Sequence, residues 1–210
     1  MLDIELPANI DGQVQEYLDK IPVADQPKKW DKSKAQAVSR FKTAIMTHGM
    51  AVQGNRCAWC TLLVGTAGHR TAHRDHIAPK KLYPQWTFKP INLIVACEYC
   101  NGFAVKHDLD TVQVLQAKYE QCTFWIVHPY LDIVSDHVGF MEDEAAVQSV
   151  AIQGRSPRGL WTIEKLQLDS PEMTNLRARE LAAERAINKL PHHYQSLLAR
   201  ATGRQVLVIP

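Results

Sequence analysis

The sequence predicts an α+β fold in three consecutive parts: helices over residues 1–52, a cysteine-bracketed core over 53–120, and a mixed extension over 121–210 that ends in a helix. Three features carry that prediction. Apolar residues recur at three- and four-residue steps before residue 53. Two Cys-x-x-Cys pairs bracket the middle, and short extended runs precede a capped helical stretch near the end of the chain.

In chain order, "GQVQEYLDKI" gives a short helical pattern within a segment otherwise rich in Pro, Asp and Lys. Residues 32–52 form a stronger helix, with Ala37, Val38, Phe41, Ala44 and Ile45 on one stripe, ending by Gly54. "INLIVACEYCN" reads as a brief strand followed by a tight turn. "CNGFAVKHDLDTVQVLQAKYE" is expected to continue as a helix weakened by Gly102 and its valines. The runs "TFWIVHPYLDI", "HVGF", "SVAIQG" and "GLWTIEKLQL" read as extended, separated by polar turns. Ser170, Pro171 and Glu172 then cap a final helix, whose apolar stripe is Leu176, Ala183, Ile187 and Leu190 and whose stop is Pro191.

With 46% apolar and 22% charged residues over 210 positions, the chain has ordinary globular composition. A net charge of +2 does not by itself argue for a nucleic-acid partner. No apolar run reaches the roughly 18 residues of a membrane helix, so no membrane partner is expected. "MLDIELPANIDG" carries acids where a secretory leader carries base and then an apolar run; a cytoplasmic location is expected.

Five cysteines fit a disulfide framework poorly, and four of them pair as Cys57-Ala58-Trp59-Cys60 and Cys97-Glu98-Tyr99-Cys100. One such pair is compatible with buried packing or a redox couple; two suit a tetrahedral four-thiolate zinc site. Such a site has no open position, so its zinc staples the fold and does no chemistry. The insert between the pairs contains "HRDHIAP". Asp75 and His76 are expected at the end of a short strand closed by Pro79. A carboxylate there suits a hard cation and a neutral imidazole suits proton transfer from water. Taken alone, Asp-His is more often ordinary surface or core polarity. Asn92 and Asn101 complete an ordered series with it, although each alone is a common turn residue. Lys80, Lys81 and Lys89 are available for backbone phosphates, while Trp86 and Phe88 read as core.

The series Cys-x-x-Cys, Asp75-His76-Ile77-x-Pro79, Asn92-Leu93 and Cys97-x-x-Cys100-Asn101 resembles the HNH endonuclease family over residues 57–106. The resemblance implies a ββα-metal core. It makes His76 the general base, Asn92 the residue orienting its imidazole, and Asp75 and Asn101 the ligands of a catalytic Mg²⁺ or Mn²⁺. The last His of the family's name is Asn101 here, and the family's later lysine corresponds to Lys106 at an unusual spacing.

Beyond the core, "HPYLDIVSDHVGF" and "GLWTIEKLQLDSPEMTNLRARE" resemble, more loosely, the C-terminal half of bacterial HNH proteins that include the nuclease subunits of Septu-type and retron antiphage systems. This implies a DNA substrate, an ABC/SMC-like ATPase partner, and an extension that binds the partner or DNA. His128 and His137 read as packing residues. The contrasting expectation is a non-catalytic zinc-knuckle module that binds DNA or protein. A zinc deaminase is disfavoured, because its His/Cys-x-Glu and Pro-Cys-x-x-Cys arrangement is missing.

Overall fold

The chain begins with three helices, the third of which packs against the central hairpin. A computed structural model describes residues 1–102, 105–142 and 148–202. Helix α1 (Gly12–Asp19) starts where the Asp11 carboxylate accepts from Gln13 N and Val14 N, and it buries Val14 and Leu18 on one face. Helix α2 (Gln26–Lys32) has a proline in its first turn and buries Trp30. The stronger predicted helix is α3 (Gln36–Val52), with Val38, Phe41, Ile45 and Gly49 inward. A Cβ on Gly49 would lie 2.5 Å from Val95 Cγ2, so glycine is what lets α3 approach the hairpin this closely.

Strands β1 (Ala72–His76) and β2 (Leu93–Cys97) form an antiparallel pair that sets Asp75 opposite Ile94 and His76 opposite Leu93. All five residues of β2 are buried, because helices cover one side and the cysteine turn the other. The Gln53 side chain pairs with both Val95 N and Val95 O, and Ala58 N donates to Val95 O. A side chain and a loop thus supply part of the ladder that another strand would have given.

Two further antiparallel pairs follow: β3 (Val112–Val114) with β4 (Thr123–Phe124), and β5 (Val138–Glu142) with β6 (Gln148–Gly154). A one-turn helix α4 (Val134–His137) precedes β5, and helices α5 (Pro157–Leu166), α6 (Pro171–Asn188) and α7 (His192–Thr202) complete the α+β fold. Phe124, Ile126, Val127, Ile163, Leu166 and Leu168 share an apolar cluster with the cysteine turns, so the extension packs directly on the central part.

Three expectations are corrected. The helix expected over 100–120 does not form among the described residues, of which 103 and 104 are not part; the chain takes turns and the short strand β3. His107 adopts φ +36°, and the buried Lys106 side chain ties this stretch to the hairpin instead. "GLWTIEKLQL" is helical through Leu166, not extended, since Ser156 accepts from Gly159 N and Pro157 starts α5. On α6, Ser170 caps as expected, but the buried face is Met173 and Arg177; Ala183 and Leu190 are exposed. Finally, no helix among the described residues is long and apolar enough to cross a membrane.

Candidate active site and its four-cysteine centre

Local turns gather the sulfurs. Cys57 O accepts from Thr61 N, Cys57 N donates to Leu62 O, and Asn101 N donates to Cys97 O. The four Sγ atoms of Cys57, Cys60, Cys97 and Cys100 lie within 4.8 Å of one another, all buried, with Cys60 and Cys97 3.9 Å apart. A tetrahedral zinc with Zn–S of about 2.3 Å needs sulfurs about 3.8 Å apart, so the group fits such a metal. It is the only cluster of three or more His, Cys, Asp or Glu ligands among the described residues. Crowding splits the thiols. Hydrogen bonds from its three neighbours draw Cys97 down, while burial pushes Cys57 up and the neighbouring sulfurs push Cys100 up. Cys122 stands apart and accepts from Gln116 N.

Beside this centre, His73, Asp75, His76, Lys80, Asn101 and Trp30 line a cleft of about 460 Å³. Asp75 is almost completely buried. Its Oδ2 accepts from Trp59 Nε1 at 2.7 Å and its Oδ1 from Lys106 Nζ at 2.9 Å. Trp59 lies within the first Cys-x-x-Cys turn, so the turn that holds two sulfurs also holds the carboxylate. Lys106 Nζ additionally donates to His76 O at 2.6 Å. Each carboxylate oxygen retains a further lone pair, so Asp75 remains chemically able to meet a hard cation in the cleft.

His76 closes β1 with its ring in edge contact with Trp30, centroids 4.5 Å apart. Its Nε2 lies 3.0 Å from the Thr87 carbonyl, which can only accept; Nε2 therefore carries the proton and Nδ1 keeps the lone pair. Burial drives its pKa down to about 3, against the hydrogen bond to Thr87, with Lys80, Lys106 and Lys42 adding repulsion. The imidazole is neutral at physiological pH.

Asn92 makes no hydrogen bond to the His76 ring. It is fully buried, and its side chain is saturated: Oδ1 accepts from Ala78 N and Tyr119 Oη, and Nδ2 donates to Ala78 O and Trp86 O. These bonds shape the loop over 77–92, which carries the Thr87 carbonyl to His76. Asn92 thus reaches His76 through the backbone. Asn101 lines the cleft, its Nδ2 3.4 Å from His73 Nδ1. Lys80 lines the cleft and pairs with Asp31, whereas Lys81 is exposed and pairs with Asp108. Trp86 and Phe88 are core, as expected. His128 and His137 also pack: His128 is fully buried, and His137 bonds Ser156.

Sequence reading missed Trp30, Trp59 and Thr87 as partners of the Asp-His pair and reached Lys106 only through a family correspondence at an unusual spacing. For Trp59 a local signal existed, an aromatic N–H donor inside the cysteine turn. Trp30 and Thr87 carry no pattern, since the packing of α2 brings in the first and the path of the 77–92 loop the second. No protein-family model matches this chain, and no curated protein matches it.

Proposed function

We propose that this chain is a zinc-stapled HNH endonuclease that hydrolyses DNA phosphodiester bonds with Mg²⁺ or Mn²⁺. We further propose that it serves as the nuclease subunit of a bacterial antiphage complex with an ABC/SMC-like ATPase. The observation that carries the reading is the buried neutral His76, with an unprotonated Nδ1, next to Asp75 in a cleft edged by Lys80 and Asn101. In this reading His76 takes a proton from the attacking water as the new P–O bond forms and the bond to the leaving oxygen breaks. A divalent ion held by Asp75 and Asn101 would supply charge stabilisation at the phosphate. Lys80 contacts the DNA backbone, with Lys81 further out, and Asn92 keeps the loop that holds His76.

One observation favours the contrasting reading, a zinc module that binds without cutting: Lys106 already neutralises Asp75 in the core. The two readings part in one experiment. Purified chain, alone and with its ATPase, is incubated with plasmid DNA and Mg²⁺ or Mn²⁺ beside the His76→Ala variant. Cleavage by the parent and none by the variant supports the nuclease; binding without cleavage by either supports the module.

A further inference from the structure

Helix α6 docks on the first cysteine turn through one line of polar residues. Glu180 accepts from Leu63 N, Arg70 and Arg56, and Glu184 accepts from Arg56. One turn earlier on the same face is Arg177, 5% exposed. Its Nε donates to Val150 O at 2.9 Å, and one Nη donates to Leu168 O at 2.6 Å and contacts Thr174 Oγ1. The other nitrogen, Nη1, is buried and has no hydrogen-bond partner among the described residues. No carboxylate lies within 4 Å of the guanidinium among those residues either; its ion-pairing neighbours on α6 are committed to Arg56 and Arg70. Arg177 lines a cavity together with Thr61 and Leu62 of the cysteine turn. Burial lowers its pKa from the usual arginine value, and Cys60, Asp169 and Cys100 lie within electrostatic reach.

A buried cation bonded only to neutral carbonyls and a hydroxyl is costly unless an anion balances it. Four thiolates around one divalent ion form such an anion, doubly negative overall. We propose that Arg177 is the counter-cation of the four-cysteine metal centre, so that helix α6 tunes how tightly the centre holds zinc. The inference rests on metal occupancy of Cys57, Cys60, Cys97 and Cys100, and not on nuclease activity.

The test loads the full chain with zinc and titrates it against a chromogenic chelator, for the parent, Arg177→Lys and Arg177→Gln. Both variants lose the guanidinium contacts to Val150 and Leu168, but only lysine keeps the charge. Arg177→Gln is expected to hold zinc about 10- to 100-fold more weakly than the parent, with Arg177→Lys well above it. In the pH at which half the zinc is released, the glutamine variant should lie above the lysine variant, since thiolates without a counter-cation protonate more readily. Equal behaviour of the two variants overturns the proposal, whether both hold zinc like the parent or both lose it alike. A parent that retains no zinc overturns the metal centre itself, and this inference with it.

Discussion

The four-cysteine centre and the Asp75–His76 cleft share Trp59, yet they are assembled in opposite ways. The centre is built from two short turns, each fixed by its own backbone bonds, and each delivers two sulfurs three positions apart. The cleft has only Asp75 and His76 adjacent in sequence. Everything that holds them comes from elsewhere: Lys106 and Trp59 on the carboxylate, the Thr87 carbonyl on the imidazole, and Trp30 against the ring. A site of the first kind is encoded by spacing. A site of the second kind depends on a whole loop arriving correctly, and its polar groups are neutralised or satisfied one by one by distant partners.

The centre should be the harder of the two to do without. Cys97→Ser removes one of the four gathered thiols, and for small structural zinc sites metal binding is worth roughly 10 kcal/mol of folding. The variant is expected to lose bound zinc and most of its cooperative thermal transition, read by metal analysis and circular dichroism. A variant that unfolds like the parent would mean the sulfurs merely pack. The cleft should behave otherwise: His76→Ala is expected to keep zinc and fold while lowering cleavage about 10²- to 10⁴-fold. Cleavage at the parent rate would remove His76 from the mechanism.

What was legible in the sequence follows the same division. Cysteine pairs, the helix α3 and the Ser170–Pro171 start of α6 are local signals, and each appears where the sequence predicts it. The Asp-His pair at the end of a strand was legible because Pro79 follows it, but its partners were not. The stretch after Asn101 was misread as helix because its periodicity conceals a lysine whose head is drawn into the core. The face of α6 was misread for a related reason: its apolar residues suggest one stripe, yet salt bridges to Arg56 and Arg70 turn Met173, Arg177 and Glu180 inward. Charge pairing across a long sequence separation overrides hydrophobic spacing, and a single sequence gives no sign of it.

Lys106 sharpens the contrast further. Both it and Asp75 are buried, so Lys106→Met strands a carboxylate in the core, at a cost of about 3–5 kcal/mol by denaturant unfolding. The variant also frees the carboxylate. Added Mg²⁺ should then raise the melting temperature of Lys106→Met more than that of the parent, because the ion meets an unneutralised Asp75. If Mg²⁺ moves neither protein, Asp75 is a structural anion and not a metal ligand.

The smallest effect concerns the relay that secures the loop from behind. Tyr130 N donates to His128 Nδ1, so His128 Nε2 carries the proton and donates to Tyr119 Oη, which donates in turn to Asn92 Oδ1. This chain requires a neutral His128, and burial with the nearby Arg158 charge lowers its pKa to about 3. An unfolded histidine titrates near 6.5. As pH falls below that value, the unfolded chain takes up a proton that the folded chain refuses. The stability His128 contributes is therefore complete above about pH 6.5 and declines by roughly 1.4 kcal/mol per pH unit down to about 3. His128→Gln keeps an amide donor toward Tyr119 but has no such proton to exclude. Denaturant unfolding between pH 7 and 5 should accordingly show a steeper loss for the parent than for the variant, although the variant is less stable at pH 7. Parallel slopes would mean that His128 is protonated in the folded state, and then the relay to Asn92 cannot run in the direction the hydrogen bonds give it.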